Sequence, residues 1–229
     1  MTIEAGSNMI NFIRSTLILL YLTIGAVVLP AYAAEKSPDQ WIVEANQILK
    51  VDAQDAKAYY NRGTGHYRNN DYDAAVNDLS MAIYFEPKSP DAYFNRGLSR
   101  RRQHQIDEAV SDFSKAIKLY PNHPGYYFER CNALIVKSDF DGAVADCSEA
   151  IRLSPNEAEA YFVRGVAHML RGDIDGAWGD SFHTLQIQPD HSYARRLLYE
   201  ILVRREALIG AHHPSAPHNP YLASASKEI

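Results

Sequence analysis

The chain has 229 residues, with 23 Lys and Arg against 28 Asp and Glu, a formal net charge of −5 and two cysteines. A mildly acidic chain without basic clusters is a poor match to nucleic acid, so that partner class is set aside.

Residues 1–33 read as a targeting segment. Arg14 precedes an apolar run over 16–29, interrupted only by Thr23 and Gly25, and Pro30-Ala31-Tyr32-Ala33 supplies an A-x-A-like site before Ala34 and Glu35. The run is short for a spanning helix, so the expectation is cleavage before Ala34 and a soluble, exported product. A membrane-anchored form facing the periplasm is the alternative. The chain has no N-x-S/T sequon and no cysteine near the cleavage point, which favours a bacterial periplasm over a eukaryotic secretory route and over a lipid anchor.

Residues 37–55 read as a lone helix, with Ser37 as N-cap and Pro38 as first helical residue. A unit of 34 residues then recurs in register over 56–89, 90–123, 124–157 and 158–191. Such a period signals stacked supersecondary units. Small residues recur at unit position 8 (Gly63, Gly97, Cys131, Gly165), position 20 (Ala75, Ala109, Ala143, Ala177) and position 27 (Ala82, Ala116, Ala150, Thr184). Two antiparallel helices approach closely only at small side chains, so these positions mark the crossings, with position 20 expected nearest to position 8. Pro87, Pro121, Pro155 and Pro189 at position 32 stop each second helix. A turn near positions 14–17, such as Asn69-Asn70-Asp71 or Gly172-Asp173, separates helices of about 13 residues, too short to be stable alone.

Counted back from Ala56, residues 37–55 form the second helix of a half unit, with Trp41 expected to fill the space of the missing first helix. Residues 192–210 read as a capping helix with an apolar stripe of Leu197, Leu198, Ile201 and Leu202, closed by Gly210. Residues 211–229 are expected to be a disordered tail. His212, His213 and His218 lie there without any other ligand type, so no metal site is assigned.

The unit resembles the tetratricopeptide repeat, which carries an aromatic at position 4 (here Tyr59, Tyr93, Tyr127, Tyr161), small residues at 8, 20 and 27, and proline at 32. It departs from that pattern with Arg at position 7 and with varied residues at 11 and 24. The resemblance implies an all-α fold, a right-handed α-solenoid of antiparallel helix pairs, with a concave groove lined by positions 2, 5, 6, 9, 12 and 13. The implied partner-binding residues are Tyr60, Thr64, Tyr67 and Arg68; Phe94, Leu98, Arg101 and Arg102; Phe128, Asn132, Ile135 and Val136; and Phe162, Val166, Met169 and Leu170. The groove is expected to be aromatic and basic in its N-terminal half and aromatic and aliphatic in its C-terminal half. Its position-5 aromatics are expected to form an exposed row. Asn61, Asn95 and Asn132 match part of the family's carboxylate clamp, but no Lys stands at position 5.

Arg62, Arg96, Arg130 and Arg164 at position 7 repeat with Asp78, Asp112, Asp146 and Asp180 at position 23. Each acid is expected to pair with the Arg of the next unit, as in Glu44–Arg62 and Asp112–Arg130, with Asp180 turning to Arg195 or Arg196; pairing within the unit is the alternative. Cys131 and Cys147 lie at positions 8 and 24 of one unit. A disulfide between them is the expected state in an oxidising compartment, and two buried thiols the alternative.

No nucleophile–base pair, phosphate loop, H-E-x-x-H or CxxC occurs, so neither catalytic residues nor a cofactor are assigned. The expected function is an exported, non-catalytic interaction scaffold that binds peptide segments or helices. The alternative is an accessory subunit of a cell-envelope enzyme, for example one that handles cell-wall polymer.

Overall fold

The computed structural model describes residues 36–212, with side chains through residue 203. Helix is the only regular structure among them. α1 (Pro38–Val51) comes first. Four hairpins follow: α2 (Ala56–Arg68) with α3 (Tyr72–Phe85), α4 (Pro90–Arg102) with α5 (Ile106–Leu119), α6 (Pro124–Val136) with α7 (Phe140–Leu153), and α8 (Ala158–Arg171) with α9 (Ile174–Ile187). α10 (Ser192–His212) comes last. The expected targeting segment and the tail beyond His212 lie outside the described residues.

Helix boundaries repeat one local instruction. Unit position 15 is left-handed in every hairpin: Asn70 and His104 at φ 61°, Ser138 at 62°, Gly172 at 89°. The next residue caps the second helix. Asp71, Asp139 and Asp173 accept the N–H three residues on, at 3.2, 3.0 and 3.0 Å, whereas Gln105 makes no side-chain cap. Ser37 and Gln40 form a reciprocal capping box on α1. The second helices end two residues before Pro87, Pro121, Pro155 and Pro189, because proline disfavours helical backbone in the residue before it.

Ala75, Ala109, Ala143 and Ala177 are fully buried at the crossings. In the first three hairpins position 8 meets position 24 more directly than position 20, contrary to expectation, whereas Gly165 of the fourth lies nearest Asp180 Cβ and the Ala177 carbonyl. A Cβ on Gly63 would stand 2.8 Å from Leu79 Cγ, and one on Gly97 would stand 2.6 Å from Phe113 Cε1. A larger residue on α3 or α5 fills the notch left by glycine opposite it. In the third hairpin the same two positions are Cys131 and Cys147, joined by a disulfide with Cα atoms 5.6 Å apart. Both sulfurs sit in a buried cluster with Leu134, Ala143, Val163 and Ala167.

The ion pairs run within units, not between them. Arg62, Arg96, Arg130 and Arg164 each grip the Asp of their own hairpin with two N–H groups, at 2.6–2.9 Å. The cause is the crossing itself, which sets positions 7 and 23 beside the 8/24 contact. The guanidinium's remaining amino group reaches back to position 25 of the preceding second helix: Asn46 at 2.7 Å, Ser80 at 3.1, Ser114 at 2.9 and Ser148 at 3.0. Each of these serines in turn donates to a carbonyl four residues back. Each guanidinium also lies over the position-4 tyrosine, at 5.4–5.9 Å. The unit after α9 has Leu198 at position 7, and position 25 of the fourth unit is accordingly Phe182 rather than serine. Glu44 pairs with Lys36 instead, Arg195 donates to the Pro189 carbonyl, and Arg196 pairs with Glu200.

A second ladder does join units. Asn69, Gln103, Lys137 and Arg171 at position 14 bond Asp39, Asp73, Asp107 and Asp141 at position 18 of the preceding unit. These contacts are largely exposed, so each contributes little alone.

Both ends differ from expectation. Trp41 is half-buried rather than sunk into the stack, and Arg68 lies over its ring at 4.4 Å. Ile42 and the Pro38 carbonyl do the packing, seated against Gly65. α10 runs through Gly210 to His212, which brings Ala211 and His212 into helix rather than tail. Glycine ends a helix where it turns left-handed, as Gly172 does after α8, while inside a helix it costs only up to about 1 kcal/mol. Of the expected apolar stripe, Ile201 is fully buried and Leu197, Leu198 and Leu202 are half-buried.

Candidate functional site

The first helices of the hairpins touch one another from unit to unit (α2 with α4, α4 with α6, α6 with α8), whereas the second helices make no comparable contact. The stack therefore curves with its first helices inside. All the residues expected to line a groove lie on those helices.

At the N-terminal end, Trp41, Tyr60, Asn61, Thr64, Tyr67, Arg68 and Asn95 enclose an open cavity of about 440 Å³. Its floor is cross-linked: Asn95 Nδ2 donates to Tyr60 Oη at 3.2 Å and to Thr64 Oγ1 at 3.1 Å. Burial pushes the Tyr60 phenol up from its ordinary pKa, so it stays protonated. In the middle, Arg101 NH2 stands 3.0 Å from Glu129 Oε2. Burial raises the Glu129 pKa, and Arg101 and Arg102 only partly counter it. Arg102 is exposed and lies beside the Tyr67 hydroxyl, which raises its pKa further.

At the C-terminal end, Val136 and Leu170 are 65% and 51% exposed, while Asn132, Val166 and Met169 are half-buried and Ile135 packs against the disulfide cluster. Position 13 thus gives the row that stands out into solvent: Arg68, Arg102, Val136, Leu170.

The position-5 aromatics are not an exposed row. Phe94 lies 5.8 Å from Phe113 and 4.9 Å from Tyr126, ring centre to ring centre. Phe128 and Phe162 pack against the disulfide cluster, and Leu98 packs beside Phe94 on Phe113. Successive first helices touch, and a ring at position 5 is wedged between them.

Models of the tetratricopeptide repeat match residues 90–123 and 128–191. The chain is a tetratricopeptide-repeat protein. Its solenoid superposes on other structures of this kind at low identity. MamA from Desulfovibrio magneticus RS-1 matches at 19% identity with a TM-score of 0.65, over 76% of this chain and 96% of that one. Another MamA structure matches at 18% and 0.64, over 68% and 91%. YrrB matches at 21% and 0.63, over 69% and 81%. These likenesses establish the fold.

Four residues around the inner face escaped the sequence reading as site residues. Trp41 sits in a half unit, outside the four repeats. Asn61 and Asn95 carried a signal only as fragments of a clamp, whereas here they wall and floor the N-terminal cavity. Glu129 is the acid at a position that is Asn in the two preceding units, and that break in the repeat was the available signal. Position 11 turns away from the groove toward the acids of its own hairpin. Arg100 meets Asp112 at 2.7 Å and His168 meets Asp173 at 2.7 Å.

Proposed function

We propose that the protein is an exported, non-catalytic scaffold that binds a peptide segment or helix along its first-helix face. The observation that carries this reading is the exposed position-13 row, which changes from Arg68 and Arg102 to Val136 and Leu170. Exposed apolar side chains beside a concave, partly open surface favour contact with a partner. Arg at one end and aliphatic side chains at the other fit a segment that is acidic at one end and apolar at the other. YrrB, a tetratricopeptide-repeat protein with an unusual peptide-binding site, offers a precedent on a similar solenoid. Export rests on the apolar run over 16–29 and the Ala31-Tyr32-Ala33 site. No helix among the described residues is long and apolar enough to cross a membrane.

Selection of a random peptide library on the purified protein tests the binding reading. Enrichment of peptides with clustered acids beside an apolar run supports it; enrichment of no common pattern contradicts it. N-terminal sequencing of the exported protein should begin at Ala34 or Glu35, and full-length protein held in membranes would contradict soluble export.

A further inference from the structure

The junctions between hairpins are built from equivalent positions, and two of them share a device that the one between them lacks. Where the second hairpin meets the third, the Tyr126 ring covers Phe94 at 4.9 Å, and its hydroxyl donates to Asp91 at 2.5 Å. His123 stacks on that tyrosine at 4.1 Å. Where the fourth hairpin meets α10, the His191 ring covers Phe162 at 4.8 Å. Ala194 N donates to its Nδ1 at 3.1 Å, which leaves Nε2–H to donate to Glu159 at 3.2 Å. Both times a ring covers the position-5 phenylalanine and its donor reaches the acid at position 2 of the same first helix.

Between the third and fourth hairpins the ring is gone. Ala160 stands where Tyr126 stands, Glu157 where His123 and His191 stand, and Gly125 where the acid stands. A cavity of about 270 Å³ opens there, with Phe128, Ala150 and Ala160 apolar inside it and Glu157 and Glu159 at its sides. Glu159 is already engaged by His191, so Glu157 is the carboxylate available to a newcomer.

We propose that this cavity takes the tyrosine side chain of a bound segment, its ring against Phe128 and its hydroxyl donating to Glu157. The flanking junctions show how the same scaffold holds such a ring. The paired carboxylates exclude an acidic residue and favour a hydrogen-bond donor over a plain phenyl ring. Of the two rings seen at the flanks, tyrosine is the one whose place stays open here, at Ala160, whereas Glu157 occupies the place of the histidine. The proposal deepens the groove reading by naming one side chain of its ligand.

The probe is p-cresol, the tyrosine side-chain analogue, titrated into the full chain and followed by NMR. Shifts should cluster on Gly125, Phe128 and Ala160, and toluene, which lacks the hydroxyl, should bind about tenfold more weakly. Ala160→Tyr should fill the cavity from within, abolish the p-cresol shifts and raise Tm. Glu157→His fills it by the other route and serves if Ala160→Tyr does not fold. Equal affinity for toluene and p-cresol, shifts centred elsewhere, or unchanged p-cresol binding in a folded Ala160→Tyr or Glu157→His variant would overturn the proposal. So would no binding at all. None of these outcomes touches the groove reading, which is measured separately with selected peptides and the position-13 row.

Discussion

His104 and Ser138 hold a left-handed backbone that costs an L-residue roughly 1–2 kcal/mol, and Gly172 holds the same position without that cost. His104→Gly should therefore stabilise the chain by up to about 1 kcal/mol, net of the entropy glycine adds to the unfolded state. A urea melt reads this, and a loss of stability would contradict it. The position-7 arginines belong to the same scale. Asp146 is the cleanest place to test them, because position 11 of its hairpin is Leu134 and no second cation shares the carboxylate as Arg100 shares Asp112. Removing one partner of so buried a pair should cost about 3 kcal/mol. A double-mutant cycle should find strong coupling between Asp146 and Arg130 and little between Asp146 and Arg164. Arginine and aspartate at a fixed spacing were legible in the sequence, but the partner was not, since both choices keep the same period. Glu129 sets a pH dependence. Its folded pKa is raised by burial, so its charged form opposes folding above that pKa, and the penalty disappears as pH falls toward the unfolded value near 4.5. Glu129→Gln should raise Tm at pH 7 and lose that advantage at pH 4; a lowered Tm at pH 7 would mean that the Arg101 contact, not burial, governs the site.

Helix boundaries were the most legible elements. Proline at position 32 and Ser37 at the start of α1 mark their ends by steric and capping rules that need no tertiary context. α5 is the exception among the second helices, because Gln105 leaves its first turn uncapped. Gln105→Asp should add about 1 kcal/mol, matching the caps at Asp71, Asp139 and Asp173. No gain in a thermal melt would show that another group already satisfies those N–H groups. The hairpin crossings were legible as small residues, yet the 8/24 contact was legible only through the cysteine pair, because a glycine shows where a neighbour can come close and not which neighbour does. The third hairpin carries that contact as a covalent bond. Cys131→Ala with Cys147→Ala should cost about 3 kcal/mol through the freed loop. Non-reducing peptide mapping should find the two cysteines linked, and labelling of both by a thiol probe in the oxidised, denatured protein would refute the bond.

At the scale of the whole molecule, the 34-residue period was enough to read a solenoid, because each unit can bury its apolar face only against its neighbours. The inner face was harder to read. Position 5 looked like a row of anchors, but contact between successive first helices takes those rings into the stack, so Phe94→Ala should lower Tm rather than act on binding alone. The exposed row at position 13 carries the groove reading instead. Its direct test is calorimetric titration of a library-selected peptide against wild type, Val136→Ser/Leu170→Ser and Arg68→Ala/Arg102→Ala, at low and high salt. The serine pair should keep its Tm, since both side chains already stand in solvent, and weaken binding about tenfold or more. The alanine pair should weaken it mainly at low salt and flatten the salt dependence. Wild-type affinity in both folded variants would place binding off the first-helix face and contradict the account.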